Sequence, residues 1–135
     1  MSSSEPLLNA RFRIEIDGLP STGVVEVIFP EARIAAGRRG SRTIQYGPLI
    51  LRRAMSESSD WYRWWERAGR RAAAERKRVT IVLMNQAQRD VNRWTFIDAL
   101  PSAYTLSPLN ALRSELLIET LELSVRRLTV SFSSE

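Results

Sequence analysis

Three groups of residues in this sequence could do chemistry. Glu15 with Asp17, and Glu119 with Glu122, are carboxylates at short spacing, the type that can divide general acid and general base roles between them. Gly37-Arg38-Arg39-Gly40 combines two glycines with two cations, as an anion-binding loop does. Arg63, Arg67, Arg70, Arg71, Arg76 and Arg78 could form a phosphate-binding face, with neighbouring aromatics to stack on bases. Each group also has a plainer reading. The carboxylates fit solvated strand faces. The glycine pair lacks the Gly-Lys-Ser/Thr ending and the strand-to-helix setting of a phosphate loop. The tryptophans share an apolar stripe, which suits a core better than a nucleic-acid surface, so a basic face meeting an acidic protein surface is the better-supported use of the arginines.

The rest of enzymology is narrowed by what is missing. The chain has no histidine and no cysteine, so the commonest general base, the thiolate nucleophile and the usual metal ligands are absent. No catalytic, cofactor-binding or metal-ligating residue is assigned, and the sequence predicts a protein that is not an enzyme.

The arginines belong to one amphipathic segment, residues 60–76, predicted as the single helix. Trp61, Trp64, Trp65, Ala68 and Ala72 recur at helical spacing on one side, while Arg63, Arg67, Arg70 and Arg71 fall mainly on the other. Ser58, Ser59 and Asp60 offer capping oxygens at its start, and the basic run 76–78 suits its C-terminal end. Trp61, Trp64 and Trp65 are therefore predicted core anchors, each able to bury ~150–250 Å². So heavy a helix needs a sheet to cover, and the flanking sequence supplies strands.

Phe12, Ile14 and Ile16 alternate with polar residues and predict a strand that ends at Asp17-Gly18. Residues 24–29 are apolar on both faces except at Glu26, as expected of a strand whose second face is covered by a neighbour. Residues 31–46 predict a ribbon or long loop with an arginine tip, and 48–53 return to strand. Residues 79–84 predict a central strand buried on both faces, and 93–97 another strand. Pro101 and Pro108 bracket a segment around Tyr104 and argue for an edge or a bend. Residues 114–125 read as strand despite their Leu and Glu content, and Leu128, Val130 and Phe132 alternate to the end. Residues 1–9 are predicted to be a mobile tail. The whole is expected to be a single domain over 1–135, mainly β.

A chain of 135 residues can bury a core without disulfides. No apolar run approaches the ~20 residues of a membrane span, and the N-terminus lacks a secretory signal, so folding in the bacterial cytoplasm is expected. The net charge of +5 comes from 20 basic residues, of which only Lys77 is a lysine. It raises nucleic acid or an acidic protein surface as partners.

Several stretches, in order, resemble the tail tube proteins of contractile phages and phage-derived injection systems. They are Phe12-Arg13-Ile14-Glu15-Ile16-Asp17-Gly18-Leu19, Tyr46-Gly47-Pro48-Leu49-Ile50-Leu51-Arg52-Arg53, the Trp64-Trp65 helix, Trp94-Thr95-Phe96-Ile97-Asp98-Ala99-Leu100-Pro101, and Leu109-Asn110-Ala111 followed by Ile118-Glu119-Thr120-Leu121-Glu122-Leu123. No single piece is diagnostic; the likeness lies in their order across residues 10–125. The resemblance implies a β-barrel or sandwich with one flanking helix, closing into a hexameric ring. Such rings stack into a hollow tube inside a contractile sheath, joined to baseplate proteins, with DNA or protein effectors passing through the lumen. It further implies that Arg38, Arg39 and Ile50 lie at ring or stacking interfaces and that Arg63, Arg67, Arg70 and Arg71 face the sheath. No cofactor is implied. Between Glu31 and Tyr46 the sequence is shorter than typical members, whose hairpin lines the lumen and reaches the adjacent ring. That difference keeps a tube initiator or baseplate-adaptor ring open beside the repeated subunit; a basic nucleic-acid-binding domain is the remaining alternative.

Overall fold

The computed structural model describes residues 11–20 and 23–132; the predicted tail over 1–9 lies outside them. Its strands are β1 (Phe12–Ile16), β2 (Val24–Ile28), β3 (Ala32–Ala36), β4 (Arg42–Tyr46), β5 (Leu49–Ala54), β6 (Lys77–Met84), β7 (Asp90–Leu106), β8 (Ile118–Ser124) and β9 (Arg127–Phe132). One α-helix, α1 (Asp60–Arg70), lies between β5 and β6. All ladders among the described residues are antiparallel. The main sheet runs in the order β1-β6-β7-β8-β5-β2, with β9 also paired to β7, while β3 and β4 form a separate two-stranded ribbon.

β7 makes this one sheet into two layers. Its first half, around Trp94 and Phe96, is laddered to β6 and β9, and its second half, around Tyr104, to β8. Between the halves Asp98 adopts a left-handed conformation (φ 57°), and the register shifts again between Pro101 and Ala103. The prolines of this region predicted an edge or a bend, and the outcome is a bend inside a central strand. Pro101 is buried there, at a bulge where a missing backbone N–H is best tolerated.

The core lies between the layers. Ile14 and Ile16 of β1, Leu49 and Leu51 of β5, Val79 and Ile81 of β6, Phe96 of β7, and Leu121 and Leu123 of β8 pack into one cluster. Trp61 and Trp64 enter it from α1, fully buried. Trp65 packs at its margin, half-buried, with its ring 6.3 Å from that of Tyr104. β6 sits between β1 and β7 with Val79 through Val82 all buried, as a central strand should.

Three sequence expectations change. The helix stops at Arg70, not 76: Arg71 leaves helical dihedrals (φ −139°, ψ 70°), and Ala72–Glu75 form a 3-10 turn. The three alanines offer no side chain to bury. The turn is instead tied back by Trp64 Nε1, which donates to the Glu75 carbonyl at 2.7 Å, and by Arg67 Nε, which donates to the Glu75 carboxylate at 3.1 Å. Residues 24–29 lack the expected cover: β2 is the last strand of its layer, and Val25, Ile28 and Phe29 remain exposed. The strand predicted over 114–125 begins only at Ile118, and what precedes it is a loop.

Candidate assembly surfaces and a buried charge network

Period-2 alternation carries Leu49, Leu51 and Arg53 of β5 to the inward face, and Glu119, Leu121 and Leu123 of β8 likewise. In the ladder Arg53 stands opposite Glu119. Arg53 Nε donates to Glu119 Oε1 and Arg53 Nη2 to Asp60 Oδ1, so one guanidinium ties two strands to the first residue of α1. Tyr104 of β7 donates its hydroxyl to the other Glu119 oxygen at 2.6 Å. The guanidinium carbon lies 4.2 Å from the centre of the Trp61 ring. Asp60 also accepts the Trp61 backbone N–H at 2.9 Å, capping the helix with its own first side chain while Ser59 makes no such bond.

Burial opposes the charge on Arg53 and on Asp60, but their mutual hydrogen bond, with that of Glu119 on the arginine, outweighs it. The Arg53 pKa is raised and the Asp60 pKa lowered. Burial and the bond to Glu119 raise the Tyr104 pKa. Asp60 Oδ2 and Trp61 Nε1 have no hydrogen-bond partner among the described residues. With both carboxylates bound to the same cation, this cluster fixes α1 to the sheet. The expectation that Glu119 lies on a solvated strand face is overturned: it is fully buried. The signal was present, because Arg53 and Glu119 each share the parity of the leucines beside them.

The remaining predicted residues are spread over the surface. Arg63, Arg67, Arg70 and Arg71 are exposed. Arg63 Nε donates to Ser59 Oγ at 2.8 Å, and Arg70 lies 3.8 Å from Glu66. Arg38 and Arg39 form a turn at the ribbon tip, where Arg39 is left-handed (φ 56°). Gly37 suits that tip, since a Cβ would come within 2.3 Å of Ser41 Oγ. The tip joins two strands, so it does not offer the helix terminus of a phosphate loop. Ile50 lies on β5, whose two edges are paired with β8 and β2, and its side chain is half-buried. Glu15 is exposed and within 3.0 Å of Arg13 and 3.7 Å of Arg93.

Sequence reasoning missed the exposed apolar surfaces. On the ribbon, Ile34 and Ile44 face one another across the ladder, both exposed. Phe29, just past β2, packs edge-on against Trp94 at 5.0 Å across the open side between the layers. Beside it lies a groove of about 490 Å³, lined by Phe12, Val25, Val27, Phe29, Leu83 and Trp94 with Glu26. The loop between β7 and β8 carries Leu109, Leu112 and Leu116 at 87%, 94% and 72% exposure. Exposed apolar side chains grouped in this way make these places candidate interaction surfaces. No helix among the described residues is long and apolar enough to cross a membrane.

A profile described as T4-like virus tail tube protein gp19 matches residues 8–129. Among solved structures, a chain from the anti-feeding prophage baseplate is similar over 96% of this chain and 98% of its own, at 22% identity and a TM-score of 0.71. A chain from the sheath-tube complex of the PVC extracellular contractile injection system is similar over 96% and 94%, at 16% identity and a TM-score of 0.73. Hcp1 from Flavobacterium johnsoniae is similar over 90% and 95%, at 14% identity and a TM-score of 0.64. No curated protein matches the chain.

Proposed function

Because the chain belongs to the T4-like virus tail tube protein family, we propose that it is a structural subunit of the inner tube of a contractile tail or injection system. The family match over nearly the whole described chain carries this reading. The protomer's surface supports it: β2 is an uncovered edge strand, and the β3-β4 ribbon lacks a sheet behind it. A two-stranded ribbon is marginal by itself, and an apolar edge strand invites another chain. Closure into a hexameric ring, through a contact between unlike surfaces, resolves both.

In this arrangement Arg38, Arg39 and the Ile50 side chain meet neighbouring protomers or rings. Arg63, Arg67, Arg70 and Arg71 face an acidic sheath surface. A lumen free of that arginine face lets DNA or acidic effectors pass without multipoint attraction. The protein acts as a single domain, without catalysis or cofactor, in a phage-tail-like particle joined to sheath and baseplate.

Negative-stain microscopy of the purified protein tests the proposal. Rings or tubes are expected, and monomers that bind DNA instead would overturn it. The short ribbon favours a second reading, a tube-initiating ring at the baseplate. Single rings that never lengthen at high concentration would select that reading over the repeated subunit.

A further inference from the structure

The layer built from β1, β6, β7 and β9 has a second face, opposite the core. Val79, Phe96 and Leu128 stand in register and point inward, so their neighbours along each strand point outward. At one end of this outward face the chain supplies both signs of charge. Arg13 donates to the two Asp90 oxygens at 2.8 and 2.9 Å and to Glu15 at 3.0 Å. Arg93 lies 3.7 Å from Glu15 and 3.6 Å from Asp90, which closes the four groups into a ring. Val82 pairs with Arg13 on one side and with Arg93 on the other, and it is fully buried although it belongs to the outward face.

The other end has cations without matching carboxylates. Past a row of threonines, Thr80, Thr95 and Thr129, lies Ile97, half-buried on β7. Arg127 of β9 is its ladder partner. On the other side stands Arg78 of β6, at the register shift where Asp98 is left-handed (φ 57°). Arg78 and Arg127 are both exposed, and neither has an ion-pair partner among the described residues. Of the carboxylates beside them, Asp98 lies 3.6 Å from Arg126. Asp17, whose N–H donates to the Arg78 carbonyl at 3.1 Å, is exposed and makes no ion pair among the described residues. Two inter-strand spacings separate the backbones of Arg78 and Arg127, ~10 Å in all.

A nucleic acid strand would call for cations in series and aromatic faces for its bases, and the two rows at this end offer no ring. Glu15, Asp17 and Asp90 on or beside the same face would also repel its phosphates. Two discrete cations about an isoleucine instead match single carboxylates spaced along a polypeptide. We propose that the Arg78–Ile97–Arg127 end of this face binds an acidic segment of another protein, with two carboxylates ~10 Å apart on the guanidinium groups and an apolar side chain between them against Ile97. The contact uses none of the α1 or ribbon arginines. It goes beyond the tube-subunit reading and does not depend on it.

A labelled peptide of alternating glutamate and leucine or alanine, and a labelled single-stranded oligonucleotide of equal charge, are titrated against the purified protein by fluorescence anisotropy in low salt. The peptide should bind more tightly than the oligonucleotide. Arg78→Gln with Arg127→Gln should weaken it several-fold, Ile97→Thr less, and Arg70→Gln with Arg71→Gln least, all with unfolding curves like the parent's. Tighter binding of the oligonucleotide would overturn the proposal, as would equal losses from the two arginine pairs, which would mean attraction by net charge alone. Micrographs separate this contact from assembly. Rings or tubes of Arg78→Gln with Arg127→Gln at the parent's yield are expected, and their loss would make this face a contact between copies, against the proposal. A parent protein that binds the peptide at this face yet forms no rings would sink the tube reading alone.

Discussion

The Arg53 network and the Ile34–Ile44 ribbon invert the usual placement of side chains, and in opposite senses. At the first, an arginine, a glutamate and an aspartate are withdrawn from water beneath α1 and bonded to one another and to Tyr104, with only the Asp60 Oδ2 atom of that aspartate left unpartnered among the described residues. At the second, isoleucines stand in solvent on a ribbon with no layer beneath it. The first region is finished within one chain. In the proposed ring the second is finished by another chain, so damage to the first should appear as lost folding and damage to the second as lost assembly.

The most severe test of this contrast lies under the helix. Trp64→Ala removes a fully buried ring and a hydrogen bond to Glu75, and should cost about 3–5 kcal/mol in denaturant unfolding. Set against the ~5–15 kcal/mol that stabilises a small domain, that leaves little soluble protein. Glu119→Ala leaves Arg53 buried with one partner fewer, a loss of about 3 kcal/mol or more for a broken buried pair. A Glu119→Ala protein as stable as the parent would break the claim that the network holds the fold.

Acid sharpens the comparison at one group. The Asp60 pKa is lower in the folded chain than its ordinary value of 3.8. Its contribution is therefore fully present above about 3.8 and is lost as pH falls through the folded value. Unfolding curves at pH 7 and pH 3 should show a drop that Asp60→Asn reduces. The Asp90 pKa is also lowered, by its hydrogen bond to Arg13, but at a fully exposed site where salt screens the pair.

On the ribbon the prediction reverses. Ile34→Asp should change unfolding free energy by only about 0.5 kcal/mol, as surface substitutions do, while abolishing rings in micrographs. An unfolded Ile34→Asp protein would show that the ribbon belongs to the protomer's own stability. The smallest effect on stability is expected at Arg70 and Arg71. Exposed pairs contribute ~0–1 kcal/mol each, so Arg70→Glu with Arg71→Glu should leave tubes intact and weaken sheath assembly around them. Unchanged sheathing with altered cargo loading would place those arginines in the lumen.

Much of the layered fold was legible because burial follows period. Phe12, Ile14 and Ile16 alternate in sequence and in the core, and the Trp61–Trp64 spacing points one helix face inward. The helix end was harder to read, because Ala72 continues the stripe while contributing almost nothing to bury. What ends the helix is a side chain reaching back from Trp64 to Glu75, a tertiary contact with no sequence period. Arg53 and Glu119 were hidden by their type, since charge argues for solvent even where parity argues for the interior. The exposed face of β2 was misread for the converse reason. An apolar pattern says that a surface will be covered, but not whether its own chain will cover it.

β7 carries one last consequence, a mechanical one. A single covalent strand of 17 residues passes through both layers, laddered on both edges in its first half and to β8 in its second. A thrust directed along its first half loads the β6 and β9 ladders in shear, so many hydrogen bonds share the force, and it reaches the second layer through peptide bonds at the bend. In the proposed tube, a protomer driven forward by a contracting sheath would transmit the stroke through a strand already threaded across its two walls.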